Sequence, residues 1–148
     1  MDFLDQLNQD TSDIVRLSPE SPKIKCTFVG SSITAFVAWD EANKEHIRAE
    51  VQAPDKARGV RSRSAVNVWD GERMRALEFS YRCGSAVRTA LNEHRQTGAD
   101  HTRAVVEIVY DGRFDYSASV VDELPVAQAE LLEAAKLLDL TKLFSWAV

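Results

Sequence analysis

The amino-acid sequence predicts an α+β fold: a single domain, residues 1–148, in which helices cover an antiparallel sheet made of a three-stranded meander plus a C-terminal hairpin. Three observations predict it. Strand-like and helix-like stretches fall in separate blocks, which favours hairpin connections over parallel crossovers. The stretch "EIVYDGRFDYSAS" (107–119) folds two strand-forming runs back around Asp111-Gly112. A length of 148 residues, with 45% hydrophobic and 28% charged side chains, suits one core large enough to fold unaided. The expected order is helix, three strands, an optional short fourth strand, helix, two strands, helix.

Residues 2–17 place Phe3, Leu4, Leu7, Ile14 and Leu17 near helical spacing, with Asp2 and Asp5 in the first turn, where the helix dipole favours negative charge. "SPESP" (18–22) stops that helix, because each proline removes a donor and drives its predecessor toward extended geometry. Ile24, Cys26 and Phe28 then alternate with polar neighbours. Gly30-Ser31-Ser32 reads as a turn, Ile33 to Trp39 as a second strand and His46 to Val51 as a third, which completes the meander. Residues 54–64 carry Lys56, Arg58, Arg61 and Arg63 among Pro, Gly and Ser with no apolar period, so they read as an exposed basic loop. "AVNVW" (65–69) is the short fourth strand.

From Met74 the apolar positions recur every three or four residues through Leu77, Tyr81, Gly84, Val87 and Leu91 to His94, the strongest helical pattern in the chain. Asp70 is the expected N-cap, Gly98 the expected stop, and Gly84 on the apolar stripe lets another element approach closely. A two-residue type I′ turn at Asp111-Gly112 sets Val109 opposite Phe114, Glu107 opposite Tyr116 and Val105 opposite Ala118, a face to pack on the long helix. Val106, Ile108, Tyr110, Arg113, Asp115, Ser117 and Ser119 fall on the other face, the expected contact surface. "LPVAQAELLEAAKLLDLTKLF" (124–144) puts Pro125 in the first turn of a closing helix, with Leu131, Leu132, Ala135 and Leu138 on one side and Phe144 and Trp146 near the end.

Charge narrows the partner. The net −5 divides into +4 over residues 44–103 and −4 and −5 over the segments before and after. A duplex-binding protein concentrates basic side chains with less acid around them, so the expected partner is a protein, preferably basic, and not nucleic acid. The N-terminus is acidic where an export signal is positive, and no apolar run is long enough to span a membrane, which points to the cytoplasm. Cys26 and Cys83 read as reduced core thiols.

No motif asks for a cofactor. His46, His94 and His101 lack metal-ligand spacing, and no nucleophile elbow or phosphate-cradling loop is present. The one arrangement with catalytic potential is His94 and His101 with Glu93 or Glu107, an acid–base pair for a small hydrolase or nuclease. The expected reading is a non-enzymatic binder, with Arg113, Asp115, Ser117, Asp122, Glu123 and Glu130 as partner-binding residues on an acidic patch beside the hairpin.

"ALNEHRQTGADHTRAVVEIVYDGRFDYSASVVDELP" (90–125) resembles the C-terminal motif region of the YezG-like immunity protein family: a helix, a Gly-containing turn, a strand, a D-G-[KR]-F turn and a strand leading to an acidic tail. Gly98, Gly112, Arg113, Phe114, Asp115 and Tyr116 carry the match, over about a quarter of the chain. Two positions depart from it, His101-Thr102 where the family commonly has Trp, and Val120-Val121 where it usually has Tyr. The resemblance implies an antitoxin that binds and neutralises a secreted toxin domain, often a nuclease, by direct contact. The order of elements also resembles that of type III secretion chaperones, which are acidic homodimers that bind an effector segment. The first implication allows a monomer and the second requires a homodimer.

Overall fold

The computed structural model describes residues 12–40, 44–48 and 61–147. In chain order its elements are β1 (Ile14–Arg16), β2 (Lys23–Asp40), β3 (Glu45–Arg48), β4 (Arg61–Trp69), β5 (Met74–Ser80), α1 (Tyr81–Gln96), β6 (Ala104–Tyr110), β7 (Tyr116–Glu123), α2 (Val126–Glu133) and α3 (Leu140–Leu143). Short 3-10 turns occupy His101–Arg103 and Ser145–Ala147. The fold is α+β, and the sheet is mixed and curled rather than wholly antiparallel. Its order is β1-β5-β4-β2-β6-β7, with β3 paired to the far half of β2. β1 runs parallel to β5, and the remaining pairs are antiparallel.

The expected meander is largely one strand. Gly30-Ser31-Ser32 does not reverse the chain: β2 continues through it and pairs with β4 on both sides, the register shifting between Val29 and Ile33. Gly30 at φ +75° absorbs the irregularity, which bends the strand instead of ending it. The third strand forms at Glu45–Arg48, and its expected continuation lies outside the described residues. Part of the expected basic loop, Arg61 to Ser64, belongs to β4; residues 54–60 lie outside the described residues.

The long helix starts seven residues later than its period suggests. Met74–Ser80 pairs with β4, Trp69 opposite Met74, and Asp70 caps the intervening turn by accepting from Glu72 N–H (2.8 Å) and Arg73 N–H (2.9 Å). Ala76, Leu77 and Glu78 are buried in succession because β5 is covered on both faces, and such a strand loses the alternation that betrays it. The helix begins at Tyr81, with Ser80 Oγ accepting from Cys83 N–H, and ends before Gly98 at φ +89°. The expected N-terminal helix is contradicted at Ile14–Arg16, which is a strand; residues 2–11 lie outside the described residues. At the C-terminus one long helix is replaced by α2, an irregular stretch and α3, and Leu131 is exposed while Leu132 is buried.

The sheet separates two cores. On one face Cys83, Val87 and Leu91 of α1 cover Cys26, Val66, Val106 and Ile108. On the other, Leu140, Phe144 and Trp146 of the C-terminal segment cover Ala35, Val37, Ala65 and Ala76. Cys26 and Cys83 are free thiols in the first core, and burial pushes both up to about 12, which keeps them protonated and unreactive.

Candidate functional site

The hairpin that singled itself out in the sequence turns by a wider loop than expected. Tyr110 pairs with Tyr116 and Ile108 with Ala118, so Asp111 to Asp115 form the connection. The Asp111 carboxylate organises it, accepting from Arg113 N–H (2.8 Å) and Asp115 N–H (3.2 Å). This register differs by three residues from the one a type I′ turn sets. An odd shift exchanges faces. Ala104, Val106 and Ile108 therefore point into the core with Tyr116, Ala118 and Val120, and Val106 and Ile108 leave the expected contact surface.

The same loop creates a different surface. Gly112 (φ +87°) and Phe114 (φ +66°) both lie in the left-handed region, which a bulky side chain rarely enters. Phe114 is nevertheless 70% exposed. Across from it, Tyr81 at the start of α1 is 68% exposed. Between them runs a groove of about 700 Å³, floored by Tyr110 and Tyr116, whose rings stack at 5.1 Å, and walled by Pro19, Arg61 and Arg82. Aromatic rings and guanidiniums on rigid elements are the side chains that dominate protein interfaces.

The sequence-based site residues divide between two places. Arg113, Asp115 and Ser117 are exposed at the loop end of the hairpin, next to this groove, and Asp115 accepts from Arg82 at 3.2 Å. That pair is two-thirds exposed on both sides and contributes little to stability. Asp122 and Glu123 lie at the opposite end of β7, about 20 Å away at strand rise. Glu130 is exposed on α2, beyond them. The acidic residues thus form two groups rather than one patch. Tyr81 was missed because its place in the helical period suggested burial; it is the first residue of α1, where the stripe has not yet met the sheet.

Of the acid–base candidates, His94 and Glu107 each have another partner. His94 Nε2 lies 2.8 Å from Glu123 Oε1, tying α1 to the end of β7. Glu107, between the buried Val106 and Ile108, points to the face of the sheet away from α1 and faces Lys25 at 3.8 Å. His101 is exposed in the turn after α1. Among the described residues no group of His, Cys, Asp and Glu is placed to hold a metal ion, and no helix is long and apolar enough to cross a membrane.

Compared with known proteins, the chain matches no family model, no curated sequence and no solved structure.

Proposed function

We propose that the protein is a binding module that neutralises a toxin or effector domain by direct contact, in the manner of an immunity protein. The resemblance over residues 90–125 supports the class. The observation that carries the mode of binding is Phe114: a large apolar side chain held at φ +66° and 70% exposed, beside Tyr81 and Arg82. Holding a bulky residue there costs about 1 kcal/mol or more and gains nothing in the core. Such strain at an exposed aromatic supports a role in recognition. In this reading Phe114 and Tyr81 anchor the partner, while Arg113 and Asp115 at the loop and Asp122, Glu123 and Glu130 further along steer a basic toxin toward the hairpin. The site is at work in the cytoplasm, on a partner made by the same or a sibling cell.

The test is Phe114→Gly with Tyr81→Ala, in cells and in solution. Glycine relieves the left-handed strain, and its extra chain entropy offsets that gain, so folding stability should change by less than about 1 kcal/mol. Affinity for the toxin or effector encoded by the neighbouring gene should fall by about 2 kcal/mol or more, near thirtyfold. Absence of a complex between that product and the unaltered protein, or an unchanged affinity in the variant, would refute the reading. A homodimer in light scattering that bridges the partner would favour the chaperone form of it.

A further inference from the structure

A second cavity lies on the α1 face, away from the hairpin loop and independent of the partner reading. It has a volume of about 350 Å³ and runs between α1 and the irregular part of β2. Its walls are apolar: Val66, Leu77 and Phe79 from the sheet, Val87 and Leu91 from the helix. Two features of the chain make it. Gly84 lets the start of α1 sit against Phe79, where an added Cβ would come within 3.0 Å of the ring. Further along, β2 leaves its register at Gly30, opposite the C-terminal half of the helix, and space remains between them.

The polar groups of this cavity are confined to its mouth and have one sign. Arg88, Asn92 and Arg95 from α1, His101 from the following turn and Ser32 from β2 stand there, and among the described residues no carboxylate lines it. Arg95 donates to Asn92 Oδ1 at 3.0 Å, which holds it toward the rim. The Arg88 side chain has no ion pair or hydrogen bond among the described residues. The helix C-terminus contributes only about half a negative charge, against two full positive charges on the guanidiniums. In a chain of net −5, an apolar cavity with a cation-only mouth is selective by construction.

We propose that this cavity binds a medium-chain fatty-acid-type carboxylate, its alkyl chain along Val66, Leu77, Val87 and Leu91 and its carboxylate between Arg88 and Arg95. The volume lies in the lower range of small-molecule sites, and the division into a dry body and a charged mouth matches an amphipathic anion. Arginine pairs suit a carboxylate because the guanidinium fork engages both oxygens.

Decanoate, decan-1-ol and decyltrimethylammonium are titrated into the full-length protein and followed by methyl NMR. Decanoate should give saturable shifts at Val66, Leu77, Val87 and Leu91, and bind at least about tenfold more tightly than either uncharged or cationic analogue. Arg88→Gln with Arg95→Gln should abolish that preference while leaving the alcohol's affinity unchanged. Ser32→Trp, an exposed change at the mouth that leaves the core untouched, should block decanoate with no loss of melting temperature. Shifts that do not saturate, that centre on Tyr81 and Phe114, or that are equal for the three probes would overturn the proposal.

Discussion

On one face of the sheet α1 is held chiefly by apolar side chains, whereas on the other the apolar contacts of the C-terminal segment are joined by buried polar groups aimed at specific partners. Cys83, Val87 and Leu91 need only a greasy surface beneath them. Opposite, Asn67, buried in β4, accepts from Leu138 N–H (2.8 Å) and donates to Leu138 C=O (3.2 Å), so its amide pairs with the backbone of a residue 71 positions away. Glu78, buried in β5, accepts from Arg16, from Arg63 (3.0 Å) and from Trp146 Nε1 (3.2 Å), and the Arg16 guanidinium stands 6.0 Å over the Phe144 ring. The difference follows from helix content. A sixteen-residue amphipathic helix finds its place by its stripe, but a segment of one eight-residue and one four-residue helix offers too little continuous apolar surface to set its own position. Buried polar contacts supply the address.

The strongest way to break that contrast is Glu78→Gln. The amide keeps the shape but leaves the partly buried Arg63 facing a neutral group, and the loss should be about 3 kcal/mol in urea unfolding. Hydrogen exchange should show residues 138–147 losing protection while α1 keeps its own. The same group sets a pH dependence. Burial by itself pushes the Glu78 carboxyl up, and the guanidiniums of Arg63 and Arg16, with their hydrogen bonds, more than offset this and hold it below the ordinary glutamate value. A folded-state pKa below the unfolded one gives stabilisation that is complete above the unfolded value and is lost as pH falls through the folded one. Acid should therefore detach the C-terminal segment first, and Trp146 fluorescence should report it. A variant whose acid transition coincides with that of the unaltered protein would mean that other carboxylates govern it.

Asn67→Ala should cost about 2 kcal/mol, because the N–H and C=O of Leu138 lose their partners in a partly buried place. Asn67→Asp sharpens the point. An aspartate can still accept from the N–H but sets a carboxylate oxygen against the C=O, so it should be at least as damaging. If Asp is tolerated and Ala is not, the segment is placed by one hydrogen bond instead of two.

The two faces were also unequally legible. The apolar period through Gly84, Val87 and Leu91 locates the helix face, and Gly98 its end, because a 3.6-residue repeat survives partial burial. It also overshoots, since Met74 and Leu77 fit the helical repeat while belonging to a strand buried on both sides. The Asp111-Gly112 reversal was legible, but not its width: the choice between a two-residue and a five-residue loop was made by which strand face reaches the core. The C-terminal pins were invisible. Nothing near Asn67 or Glu78 in sequence distinguishes them from solvated polar residues in a strand, since their partners lie 62 to 71 residues distant except for Arg63. Beside the groove at the hairpin loop, the exposure of Arg113 and Asp115 could be read from the sequence, whereas the exposure of Tyr81 and Phe114 in its lining depends on left-handed geometry and helix placement that no local pattern records.

The smallest effect is expected at Gly84, and it decides how tightly the apolar face is specified. Replacing a glycine by alanine gains about 1 kcal/mol in a helix interior and less near the N-terminus, where Gly84 lies. Against this, the new Cβ would stand 3.0 Å from Phe79 Cε2 and 3.3 Å from Cδ2, so the ring must move by a few tenths of an ångström. Phe79 also lines the cavity beneath α1, which leaves it somewhere to go. Gly84→Ala should therefore stabilise slightly, by about 0.5 kcal/mol, while Gly84→Val, bulkier and stiff at its first torsion, should destabilise. Thermal melts of the two variants separate the outcomes. A loss of more than about 1 kcal/mol in the alanine variant would mean that α1 is seated against Phe79 without slack. The helix face would then be specified at a single residue, as the opposite face is at Asn67 and Glu78, and the contrast between adaptable apolar contact and fixed polar contact would not hold for this sheet.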